Sequence, residues 1–151
     1  MVSVVIPTYN RIDTLVKVLP SYLIQKNVIE VLILDDCSTD NTEFTIQEIA
    51  RSNKKVKYHK NKVNLGAPAT RNIGFTLAKG DYVYMGEDDL ILKDDVISVL
   101  LSHIQANQVI AVRRIWGHAD HGIDIGTLCA TDDGTQCYVK YVHSSFYDVS
   151  R

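Results

Sequence analysis

Five short apolar runs that barely alternate with polar residues, separated by stretches of helical pattern, constrain the fold of this chain more than any other feature. They are "SVVIP" (3–7), "EVLIL" (30–34), "VKYHK" (56–60), "DYVYM" (81–85) and "VIAV" (109–112). A strand with one wet face alternates, whereas a strand covered on both faces does not. Helices are predicted between the runs. The first spans about Asp13 to Gln25, with Pro20 expected to kink it or to start its second half. The second opens at Asp40, a cap to which Glu43 reaches back. The third is "PATRNIGFTLAK" (68–79), with Pro68 in its first turn and Gly80 as its stop. The fourth is "DDVISVLLSHIQAN" (94–107). Short strands joined by helices of ten or more residues make βαβ units, which predicts an α/β fold with a mainly parallel sheet and helices on both faces.

That pattern occupies residues 1–112, and at 151 residues the chain has the length of one domain. From 113 to 151 four glycines and no long periodic segment mark a change of character. Within this tail, "TLCA-TDDG-TQCYVKYV" reads as a hairpin about an Asp-Gly turn. The tail is expected to open a second, less regular portion that is incomplete here, with self-association as one way of covering the apolar surface left bare.

A net charge of −2 supplies no basic field for nucleic acid. No apolar run approaches the ~20 residues of a membrane span, and no signal pattern precedes the first strand. Three cysteines are too few and too scattered for a disulfide framework, Cys129 with Cys137 across the hairpin being the minor alternative. A cytoplasmic location is expected, with a peripheral membrane position as the variant. His118, Asp120, His121 and Asp124 lack the spacing of a zinc site.

Acids mark the ends of two strands: Asp35 and Asp36 after the second, and Glu87, Asp88 and Asp89 after the fourth. Open parallel sheets bind ligands beyond the carboxyl ends of their strands. If strands two and three lie on one side of strand one and strand four on the other, these acids meet Thr8-Tyr9-Asn10 at one crevice. Acids so placed suit Mg²⁺ or Mn²⁺, which use one or two carboxylates and complete their shell with water and phosphate oxygens. Arg71 and Asn72 stand ready for phosphate or acidic groups. Neither a Gly-x-Gly-x-x-Gly fingerprint nor a P-loop is present.

Four blocks carry a family resemblance: "VSVVIPTYNR" (2–11), "VLILDDCSTDNT" (31–42), "NLGAPATRNIG" (64–74) and "GDYVYMGEDDL" (80–90). In order and spacing they resemble glycosyltransferase family 2, inverting enzymes with the GT-A fold. The resemblance covers the nucleotide-sugar-binding portion and implies roles by position. Pro7, Thr8 and Tyr9 line the base, Asp36 accepts a hydrogen bond from it, and Asp35 supports that loop. Arg71 lies near the base or diphosphate, Asp88 near the ribose, and Asp89, with Asp88, at the metal. Glu87 stands where the family often has aspartate and ranks below its neighbours. The implied reaction moves a sugar from a nucleoside-diphosphate sugar to a saccharide, lipid or other hydroxyl acceptor, with inversion and metal assistance. The family's catalytic base comes from the second half of the fold and has no convincing counterpart here; Asp132 and Asp133 lie on the right side of the chain but look like turn residues. The alternatives are a non-catalytic nucleotide-sugar-binding module and a nucleotidyltransferase of related fold.

Overall fold

The computed structural model describes residues 1–104 throughout and, beyond them, the strands at 109–115, 124–128, 139–145 and 147–148. Four strands, β1 (Val2–Thr8), β2 (Val28–Asp35), β3 (Val56–Lys60) and β4 (Tyr82–Met85), form one sheet in the order β3-β2-β1-β4. All three pairings are parallel. This is the order that brings the acid loops together. Thr8 pairs with Asp35, Asp35 with Lys60, and Val5 with Met85, so the carboxyl ends of all four strands lie along one edge.

Helices α1 (Ile12–Leu23), α2 (Thr42–Ser52), α3 (Ala67–Leu77) and α4 (Val96–His103) complete the α/β part. Val4, Ile6, Val31 and Ile33 face one way, into a core shared with Leu15, Leu19 and Tyr22 of α1, Ile46 of α2 and Ile97 of α4. Val5, Leu32 and Leu34 face the other way, packed with Ala78, Val83 and Met85. The period of two is therefore intact. It is hidden in the sequence because both faces are apolar.

Several local expectations are corrected. Helix α1 runs on through Pro20 and ends at Leu23; the proline gives up its own hydrogen bond to the preceding turn without breaking the helix. Helix α2 has Asn41 at its N-cap position, but Asp40 does hold the first amide of the helix, accepting from Thr42 at 3.0 Å; Glu43 pairs with Lys60 at 3.0 Å rather than reaching back. Helix α3 ends at Leu77, before Gly80. Gly80 serves a different need: a Cβ there would lie 2.5 Å from the Ser3 amide nitrogen, so only glycine lets the chain pass β1 so closely.

The expected fifth strand, β6 (Val109–Ile115), does not join the parallel sheet. It pairs antiparallel with β7 (Asp124–Leu128) and parallel with β8 (Val139–Ser145), and these three strands close on one another. Antiparallel pairing with the next strand closes a shorter loop than a crossover back to the sheet. The expected hairpin strands do pair, Thr127 with Lys140 and Leu128 with Val139. Its turn, with Cys129, Asp132, Asp133 and Cys137, and the stretch carrying His118, Asp120 and His121 lie outside the described residues. Two short strands went unpredicted: β5 (Leu90–Ile91), just after the acids, pairs antiparallel with β9 (Tyr147–Asp148).

Gly74 is where α3 touches the sheet. A Cβ there would come within 2.3 Å of Val5 Cγ1 and 2.7 Å of Leu34 Cδ1, both in the core. Alanine would gain about 1 kcal/mol of helix propensity, but overpacking a filled site typically costs about 1–3 kcal/mol. Gly74→Ala is therefore expected to lower stability in urea unfolding; an increase would show that α3 shifts freely on the sheet.

Candidate functional site

Hydrogen bonds tie together the loops that leave the carboxyl edge of the sheet. Asn10 joins the first two. It sits at φ 53°, a left-handed conformation that asparagine adopts more readily than most residues. Its amide donates to Ser38 Oγ at 2.9 Å and its Oδ1 accepts from the Thr39 amide at 2.8 Å.

Asp35 and Asp36 are sequence neighbours with different surroundings. Asp35 is fully buried and faces inward: it accepts from the Ser38 amide at 2.7 Å, and the Tyr58 hydroxyl donates to it. Burial, and then the neighbouring Asp35 carboxylate, push the Tyr58 hydroxyl far above its ordinary range, which keeps it a donor. Asp36 faces the third loop. Its Oδ1 accepts from the Leu65 amide and from Asn61 Nδ2, and its Oδ2 from the Gly66 amide, each at 2.8 Å. Burial opposes its charge, but these bonds outweigh it and hold the carboxyl below the usual range. Asp36 is thus the anchor of the 61–66 loop as well as a wall of the site.

The acid loop after β4 is gripped from two directions. Its backbone is held by the last turns of α1: the Tyr22 hydroxyl accepts from the Glu87 amide at 3.1 Å and donates to the Glu87 carbonyl at 3.0 Å. Ser21 Oγ accepts from the Leu92 amide at 2.9 Å, and Gln25 Nε2 donates to the Lys93 carbonyl at 2.8 Å. Its side chains are met by the β1 loop. Thr8 Oγ1 donates to Asp88 Oδ2 at 2.8 Å, Arg11 Nη1 reaches Asp88 Oδ1 at 3.2 Å, and Arg11 Nη2 stands 3.2 Å from Asp89 Oδ2. Burial first, with Asp89 and Glu87 adding to it, pushes the Asp88 carboxyl above its ordinary range despite Thr8 and Arg11.

A cleft of about 250 Å³ opens here, lined by Pro7, Thr8, Tyr9, Arg11, Asp36, Ala67, Arg71, Glu87 and Asp88. Of the residues expected in the site, Asp35 lies behind it and Asp89 beside it, against Arg11. Arg11 ends the first of the four blocks, which implies no role for it, and Ser21, Tyr22 and Gln25 resemble ordinary helix residues. The one sequence clue to their work is that Ser21, Tyr22 and, just past the helix, Gln25 interrupt an apolar stretch.

Among the described residues no group of three or more His, Cys, Asp or Glu is arranged to hold a metal ion. The adjacent Asp88 and Asp89 carboxylates nevertheless fit Mg²⁺ or Mn²⁺ in chemistry. They are hard oxygen donors, and two suffice when phosphate oxygens and water complete the shell.

Two expectations follow from this geometry. Tyr22→Phe keeps the packing but strips the Glu87 backbone of its partner, a loss of about 1–3 kcal/mol; faster exchange of the Glu87 amide should accompany it, and unchanged exchange would refute the grip. For Asp88, a folded-state affinity for protons raised above the unfolded one means the carboxylate costs stability once pH exceeds the unfolded value. Asp88→Asn should therefore raise the melting temperature at pH 7. The gain should shrink as the pH falls toward about 4, and a gain that grows on acidification would contradict the assignment.

Comparison with known proteins places these features. The family profile described as "Glycosyl transferase family 2" matches residues 3–126. An uncharacterized glycosyltransferase of Rickettsia felis is 40% identical over 150 residues, covering 97% of this chain and 22% of its own length. The structure of S. aureus TarS 1-349 in complex with UDP superposes with a TM-score of 0.64 at 26% identity, covering 80% of this chain and 38% of that one. GalNAc-T7, crystallised with UDP, GalNAc and Mn²⁺, superposes with a TM-score of 0.57 at 25% identity, covering 62% of this chain and 18% of that one. The chain thus spans about a fifth of the length of the Rickettsia relative. With its parallel sheet, its acid loop at the carboxyl edge and the matched profile, the chain belongs to glycosyltransferase family 2 and has the GT-A fold.

Proposed function

We propose that residues 1–112 bind the donor of a metal-assisted, inverting glycosyltransferase, a nucleoside-diphosphate sugar, and that the tail beyond them opens the acceptor side. The observation that carries this reading is the cleft itself, where Asp36, Arg71, Glu87 and Asp88 meet the Pro7-Thr8-Tyr9 loop. The UDP and Mn²⁺ in the complexes of related fold support it.

Each residue has a part consistent with its surroundings. Tyr9, 46% exposed, and the backbone of Pro7 and Thr8 form a wall for the base. A carboxylate offers about four lone-pair sites. Asp36 already meets Asn61, Leu65, Gly66 and the Thr70 hydroxyl, so an N–H of the base would share one of its oxygens with a donor already there. Arg71, on the first turns of α3, faces the cleft and can meet the diphosphate in a bidentate manner. Asp88, fixed by Thr8, lies toward the ribose, and Asp89 with Asp88 would hold Mg²⁺ or Mn²⁺. When bound, that ion supplies Lewis-acid neutralisation of the departing diphosphate.

Deprotonating an acceptor hydroxyl is assigned to no described residue, and a positioned base contributes about 10²–10⁴-fold to rate. The saccharide, lipid or other hydroxyl acceptor therefore belongs to groups outside the donor site. No described helix is long and apolar enough to cross a membrane, and a cytoplasmic or peripheral location is part of this proposal.

The test is calorimetric titration with UDP, GDP, CDP and dTDP and their sugars, with and without Mn²⁺. One base series is expected to bind, more tightly with Mn²⁺. Asp89→Asn should weaken the metal-dependent part by at least about tenfold, or ~1.4 kcal/mol, with the fold intact. Failure of every nucleotide to bind the folded protein would sink the proposal.

A further inference from the structure

Building on the proposed donor site, we infer that Arg11 is a built-in counter-ion that occupies the cation position of the acid pair, so that metal and diphosphate enter together. Asp88 is nearly buried and Asp89 largely so, their side chains 9% and 15% exposed, and two adjacent carboxylates there need compensating charge. Arg11 provides it by splitting its guanidinium between them: Nη1 lies 3.2 Å from Asp88 and Nη2 lies 3.2 Å from Asp89.

The contact is not a locked one. Charge-assisted N–H···O⁻ bonds typically run at about 2.7–2.9 Å, and both of these are longer. The Arg11 side chain is 40% exposed, whereas the partner that fixes Asp88 from the other side, Thr8, is buried and holds it at 2.8 Å. Arg11 also lines the cleft and sits at the N-cap of α1 with no side-chain capping bond. Its guanidinium can thus leave the acids while their positions are kept by Thr8 and by the Tyr22 hold on Glu87.

A divalent cation and a guanidinium repel one another and use the same oxygens, so they exclude each other at Asp88 and Asp89. A diphosphate changes the balance. It completes the cation's shell with its own oxygens, and it offers the displaced guanidinium two new anionic partners within the same cleft. Metal alone then meets a competitor, whereas metal with diphosphate does not. Linkage makes the coupling reciprocal, each ligand raising the affinity of the other by the same factor. Arg11 on this account lends charge rather than position: it neutralises the acids in the free protein and moves to the diphosphate in the bound one.

The experiment compares the wild-type chain with Arg11→Gln and Arg11→Lys, using Mn²⁺ alone followed by the paramagnetic resonance of the free ion, and then UDP alone and with Mn²⁺ by calorimetry. Arg11→Gln is expected to bind Mn²⁺ alone at least about tenfold tighter than wild type, and metal-free UDP about tenfold more weakly. The synergy between Mn²⁺ and UDP should shrink accordingly. Arg11→Lys should fall between the two, because a point charge cannot bridge two carboxylates as a planar fork does. Mn²⁺ binding that is unchanged, weaker or undetectable in folded Arg11→Gln overturns the inference. If no variant binds UDP even with Mn²⁺ while the Mn²⁺-alone gain is present, the donor reading fails for this nucleotide and the counter-ion role stands.

Discussion

β1 is hydrogen-bonded to β2 on one side and β4 on the other, and Val4, Val5 and Ile6 within it are fully excluded from solvent. A slip of one residue in either pairing would send Val4 and Ile6 to the α3 face and Val5 to the opposite one. Because both faces are filled, neither could accept that exchange without overpacking on one side and cavities on the other. The register that results sets Thr8 beside Asp35 and continues through the Gly86 amide, which donates to the Val5 carbonyl at 2.8 Å. The ends of three strands are thereby held level. The site is assembled from the residues that follow.

Three aspartates near that edge show how environment, not residue type, divides the work. Asp35 is enclosed and satisfied by an amide and a tyrosine, so it shapes its loop. Asp36 takes three donors from the 61–66 loop, stays ionised, and still forms part of the cleft wall. Asp88 is buried with fewer donors and beside two other acids, so its charge is held at a cost. Acids perturbed in this way by burial and by a specific charged neighbour cluster at functional sites. The supporting residues follow the same division: Thr8 and Tyr22 fix positions, whereas Arg11 lends charge through a longer, more exposed contact.

Much of the architecture was legible in advance because it depends on local pattern. The four sheet strands and their helices appear near the predicted places, and the acids lie at the carboxyl edge as the crossover rules require. What was missed depends on partners remote in sequence. The two-residue β5 exists because of β9, more than fifty positions away. β6 carries an apolar run like those of the parallel sheet, yet finds its neighbours in β7 and β8. Glu43 has the spacing of a capping residue, but Lys60 on β3 offers it a full charge.

The sequence by itself determined the class of fold and the identity of the acids, since apolar periodicity and strand-end chemistry are written in residues close together. Only the tertiary structure decided what each acid does. Asp35 and Asp36 are adjacent in the chain but face opposite ways, and Asp88 is reached by Thr8 and Arg11 from 80 and 77 positions earlier. Charge, burial and hydrogen bonding act through distance in space, and for these groups that distance is set by the register of β1 with its two neighbours.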